Sequence, residues 1–234
     1  MKKTVIDGVN YYPHSNGGGL VAETAAVSRT AYIGPNAIVS GDAKVTGNAR
    51  VSDRARVSDN ATVSDRAEVF DNATVFDYAI VSGDAKINGD AQVYGHAQIK
   101  GSDQYPVTSI SDNAQIYGYA MIGPHVKISD HAEIYGHAEI HCVVEISGHA
   151  KVYDDAYICD RVKICNNVQI YGHARVMHAP TKISDNAQIY GYAQVYSSII
   201  SGNRKIYGDK IVIDIDKAPS CVHHLVSKDE TVAA

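Results

Sequence analysis

His137, Asp155 and His173 follow one another at intervals of 18 residues, so any fold with an 18-residue period stacks them in one column. A carboxylate between two imidazoles raises their pKa and selects a tautomer. That is what a general base needs to take a proton from an acceptor hydroxyl or amine. The same positions also suit ordinary turn residues, because His, Asp and Asn interchange at exposed corners. Two residues before each of them stand Tyr135, Tyr153 and Tyr171, with Tyr117 one interval earlier and Tyr190 following one residue late. Phe76 and Tyr94 precede this series and Tyr207 follows it. Stacked in a column, such rings contribute about 0.5–1.5 kcal/mol per adjacent pair. The ladder suits three uses: a stabilising stack, a subunit contact, or a platform for a base or adenine ring.

A six-residue repeat supplies the frame that holds these columns in line. Val or Ile stands at every sixth position from Val21 to Ile99, again from Ile110 to Val176, and at Ile183, Ile189 and Val195, giving 29 hexads. In Val81-Ser82-Gly83-Asp84-Ala85-Lys86, the β-branched residue and the Ala four places later share the inner face of an extended chain. Val and Ile suit that face because their χ1 is already restricted. Gly, Asp and Asn at the third and fourth places tolerate φ > 0, so each hexad ends in its own turn. Three sides close the simplest prism, which predicts a solenoid of about ten triangular coils stacked at about 4.8 Å.

The [Val/Ile]-x-x-x-Ala-x pattern resembles the hexapeptide-repeat superfamily, whose members are left-handed parallel β-helices. The resemblance implies an all-β fold of that hand, a parallel homotrimer, and a group rich in acyltransferases and γ-class carbonic anhydrases. Strings such as Ala67-Glu68-Val69-Phe70-Asp71, Ala91-Gln92-Val93-Tyr94-Gly95-His96-Ala97 and Lys151-Val152-Tyr153 are similar to the YdcK-like set. Gly17-Gly18-Gly19-Leu20-Val21, running on to Tyr32-Ile33-Gly34-Pro35-Asn36-Ala37, resembles the start of many bacterial and phage repeat proteins.

The interruptions define the expected organisation. Residues 1–20 form an N-terminal cap, 21–210 the repeat and 211–234 a last strand and cap, since open solenoid ends expose unpaired backbone. Ile99 to Ile110 spans 11 residues rather than 12, so 101–109 reads as a small surface loop; one extra residue falls within 177–182. Neither break matches the long loop with which acyltransferases of this superfamily cover a donor thioester. The net charge is −5 with Lys and Arg scattered, which argues against duplex nucleic acid. No apolar run reaches a membrane span, and the Met-Lys-Lys start lacks a signal peptide's apolar core. Cys142, Cys159, Cys165 and Cys221 show neither paired nor metal-finger spacing, which points to a cytoplasmic protein with reduced thiols.

His137, His173 and His178 have a spacing similar to the zinc-binding histidines of γ-class carbonic anhydrases. Their places in the hexad differ, however, which turns them to different faces, and two coils separate His137 from His173. Cys221, His223 and His224 form a weaker cluster in the tail, and no metal site is assigned. The reading is therefore a non-catalytic homotrimeric scaffold that captures a protein or small ligand in intersubunit grooves. The alternative is an acyltransferase using acetyl-CoA, with His137 or His173 as base. In both, the site lies along the His137–Asp155–His173 column, and the Tyr117–Tyr190 edge lies at or beside the trimer contact. A third class, end-to-end polymerisation, requires uncapped ends.

Overall fold

A computed structural model describes residues 3–104, 107–178 and 180–213. The expected C-terminal cap beyond Ile213, with Cys221, His223 and His224, lies outside the described residues, as do Tyr105 and Pro106 of the expected loop. Among the described residues there is no helix. The described residues form 34 short strands in three sheets, I, II and III, of 13, 11 and 10 strands. Successive strands visit sheets I, II and III in turn, and every third strand pairs in parallel, as Val57 pairs with Val75 and Val75 with Val93. The result is a left-handed parallel β-helix of about 11 turns.

The hexad explains each coil. From Ala31 to Val195 the Ala and β-branched places are solvent-inaccessible and stack on themselves in a single continuous core. Where the third residue is Asp, it takes positive φ, as at Asp59 (57°) and Asp130 (58°). The turn closes when the Ala61 N–H donates to the Ser58 carbonyl at 3.1 Å. The carboxylate then reaches the next coil: Asp130 Oδ2 accepts from Gly148 N at 2.8 Å, and Asp65 Oδ2 from Gly83 N at 2.9 Å. One side chain thus stabilises a left-handed residue and fastens two coils.

At the N-terminus β1 (Thr4–Ile6) and β2 (Val9–Pro13) form an antiparallel hairpin. β2 in turn pairs antiparallel with β3 (Leu20–Ala22), the first strand of the solenoid proper, and so covers that edge of sheet I. Gly17 is required where the hairpin crosses the first coil. Its φ is 109°, and a Cβ there would sit 2.2 Å from the Ile33 carbonyl oxygen.

Two sequence expectations change. Ile99 belongs to sheet II and Ile110 to sheet III, pairing with Ile122 and Ile87 respectively. The break is therefore a five-residue insertion into a single hexad at the II–III corner, not two hexads short by one. Within the expected repeat and last strand, Ile200, Ile206 and Val212 add sides beyond the 29 hexads, pairing with Ile183, Ile189 and Val195. These three sides bring the count to about 11 turns rather than ten.

Candidate functional site

The I–II corner carries both columns seen in the sequence. Each ring in the second place of its hexad lies parallel to the next. Phe76, Tyr94, Tyr117, Tyr135, Tyr153, Tyr171 and Tyr190 stack with centroids 4.8–4.9 Å apart and planes within 7°. Tyr207 ends the ladder at 5.4 Å. These rings lean back over sheet I, where the Tyr94 hydroxyl donates to Gln115 Oε1 at 3.3 Å. Half-burial raises the phenol pKa of Tyr94, Tyr117, Tyr135, Tyr153 and Tyr171, to about 12 for Tyr117 and Tyr153. Because each ring face is covered by its neighbour, the ladder offers a flat ligand no face between rungs. The platform for a base or adenine ring therefore has no support along its length.

The second column borders sheet II. Tyr78, His96, Tyr119 and His137 stack at 4.8–5.0 Å. Below them, His173 Nδ1 lies 3.6 Å from Asp155 Oδ2, and the same imidazole stacks on Tyr192 at 4.8 Å. The fold thus brings His173 and Asp155 into direct contact, whereas His137 meets an aromatic ring. Both members of the ion pair are about half exposed, at 52% and 53%, so solvent screens the attraction. Outward residues of sheet II complete two adjoining shallow grooves. One, of about 360 Å³, has Tyr78, Ile80, Tyr119, Met121 and His137 in its walls. The other, of about 340 Å³, has His137, Asp155, Tyr157, His173 and Arg175.

A larger hollow of about 660 Å³ lies beside the insertion at the II–III corner, between Arg66, Asp84, Lys100 and Asp103. Arg66 grips Asp84 with Nε–Oδ1 at 2.6 Å and Nη2–Oδ2 at 2.7 Å. This hydrogen bonding holds the Asp84 carboxyl below its ordinary pKa. The guanidinium is thereby already paired within the chain.

The same corner, four to five coils further on, holds a cluster that sequence reasoning missed. Ligand atoms of Cys142, Cys159 and Asp160 all lie within 4.8 Å of one another. His178 Nδ1 lies 3.6 Å from Asp160 Oδ2. Burial pushes the Cys159 thiol up to about 11, and hydrogen bonding to it pushes the Tyr157 phenol up to about 12. The signal was present in the sequence: Cys142, Asp160 and His178 are 18 apart, and Cys159 adjoins Asp160. Pairing rules built on local cysteine spacing cannot see a contact made across coils.

No family model matches the sequence, and no curated protein matches it. Among solved structures, the chain is similar to a UDP-N-acetylglucosamine acyltransferase from Campylobacter jejuni. The two are 20% identical with a TM-score of 0.24, over 62% of this chain and 67% of that one. A likeness of that degree carries nothing about activity. Among the described residues, no helix is long and apolar enough to cross a membrane.

Proposed function

We propose that this chain is a non-catalytic, homotrimeric β-helical scaffold, cytoplasmic and YdcK-like, that captures a protein or small ligand in grooves along its I–II edge. One observation carries the reading. The Tyr78–His96–Tyr119–His137 stack runs beside Ile80 and Met121, which are 40% and 36% exposed on a strand face. Its rings present their edges outward, giving a surface that is apolar along its length and polar at its tips. Tyr-rich, Met-containing patches of this composition mark protein contacts. Sedimentation equilibrium at micromolar concentration tests the assembly. A trimer that weakens on Tyr119→Ala with Met121→Ser supports the reading, and a monomeric native chain refutes it.

A specific observation favours a second reading, acyl transfer from acetyl-CoA. The His173–Asp155 pair stands in an open groove with Tyr157 and Arg175, the arrangement in which an imidazole is oriented to deprotonate an acceptor. Acetyl-CoA calorimetry separates the two readings, since the scaffold gives no heat.

A further inference from the structure

We propose that the II–III corner between Cys142 and His178 is a binding site for a thiophilic divalent cation, zinc by its donor set. Cys142 Sγ, Cys159 Sγ and an Asp160 carboxylate oxygen hold the ion, the fourth position is left to water or an external ligand, and His178 pairs with Asp160 from the next coil.

The argument begins with the coil period. Ile140, Ile158 and Val176 pair in register on sheet II, so the third residues of their hexads, Cys142, Asp160 and His178, form one column across three coils. All three adopt positive φ, at 55°, 65° and 65°, which aligns their side chains. Cys159 adds a second sulfur from the middle coil. Bonds to tetrahedral zinc are about 2.0–2.1 Å for nitrogen and oxygen and about 2.3 Å for sulfur, so donor atoms sit roughly 3.3–3.8 Å apart. The donor atoms of Cys142, Cys159 and Asp160 lie within 4.8 Å of one another, so a small closure of the three side chains reaches that range. Two sulfurs with one oxygen select zinc over hard cations, which take all-oxygen sets.

The surroundings position these groups. Thr181 Oγ1 donates to the His178 carbonyl at 2.8 Å, and the imidazole stacks on Tyr196 at 5.7 Å. The His178 imidazole beside Asp160 is the kind of outer contact that orients a metal ligand. The backbone is strained at this point. Val143, a β-branched residue, is held at φ 33° directly after Cys142. Such outliers persist where the surroundings over-determine them and concentrate at functional sites. A bound ion would fasten two successive coils at their outer corner.

Cobalt titration of the reduced full-length chain tests this, followed by displacement with zinc. One equivalent per chain is expected, with a thiolate-to-cobalt charge-transfer band in the near ultraviolet and the visible bands of a tetrahedral centre. Cys142→Ser and Cys159→Ser should each halve the charge-transfer intensity and weaken zinc by more than the roughly 10–100-fold typical of losing an outer partner. His178→Ala removes only the outer partner of Asp160, so it should keep that band and weaken uptake by roughly 10–100-fold. Circular dichroism confirms that each variant retains its β-sheet signal. Cys221→Ser, in the tail, should change nothing. Three results overturn the proposal: absence of a charge-transfer band, its loss in Cys221→Ser, or a Cys142–Cys159 disulfide whose reduction restores no metal uptake.

Discussion

Asp155 lies against His173 and not against His137. Its Oδ2 is 3.6 Å from His173 Nδ1, whereas the His137 ring packs on Tyr119 at 5.0 Å. Two histidines that look equivalent in the sequence therefore differ in chemistry. In a scaffold, acetyl-CoA gives no heat with the native chain, and His137→Ala and His173→Ala weaken partner or ligand capture. Were the chain an acyltransferase, His173→Ala would remove turnover with folding unchanged, and His137→Ala would reduce it less, lacking the carboxylate. Steady-state kinetics on both variants decide the matter.

The tyrosine ladder predicts a stability pattern. Tyr135 and Tyr153 each touch two rings, so Tyr135→Ala or Tyr153→Ala should cost about 1–3 kcal/mol at roughly 0.5–1.5 per contact. The double variant loses three contacts rather than four, so its cost should fall short of the sum. Tyr207, with one neighbour in the ladder, should cost least. Denaturant unfolding measures all of these. Sedimentation of the double variant shows whether the ladder also holds the trimer.

The same ladder sets the alkaline limit. Tyr117 and Tyr153 ionise near 12 in the folded chain and near 10 when unfolded, because half-burial disfavours the phenolate. Their folded pKa values are raised, so the linked stability is whole below pH 10. It falls between pH 10 and 12 as the unfolded chain ionises first. Thermal midpoints should drop across that window, and Tyr117→Phe with Tyr153→Phe should flatten the drop.

Each Asp that fastens two coils does two jobs, and substitution separates them. Asp130→Gly keeps the φ of 58° and loses only the bond to Gly148 N, worth about 1 kcal/mol. Asp130→Ala also pays roughly 1–2 kcal/mol for a side chain held in left-handed backbone, so Ala should be the worse replacement. In the core, Ile134→Ala should cost about 2–5 kcal/mol. Val57→Asp, at a solvent-inaccessible place, should abolish soluble expression.

The fold was legible because its inner residues obey one rule at Val, Ile and Ala positions, and a period of six admits few architectures. Reading failed where that rule relaxes. Arg204 and Lys210 stand where Ala is expected, and Val195 to Ile200 spans five residues, so the last sides fall outside the 29 hexads although they lie within the expected repeat and last strand and their strands pair. The insertion after Ile99 was misread because its length is close to two hexads. In the site, the 18-residue interval led straight to His173 and Asp155. It pointed equally to Cys142, Asp160 and His178, but cysteines are habitually compared with their neighbours in sequence rather than with those one coil away.

The carboxylate bonds between coils have a direction. In Asp53 to Asp71, Asp112 to Asp130, Asp130 to Gly148 and Asp154 to Gly172, the acceptor belongs to the earlier coil and the amide to the later one. A chain leaving the ribosome completes its N-terminal hairpin and first coil before the rest exists. Each finished coil then holds out the acceptor that the next amide needs. The rod can therefore assemble vectorially during synthesis, one turn templating the next, with no step that waits for the C-terminus.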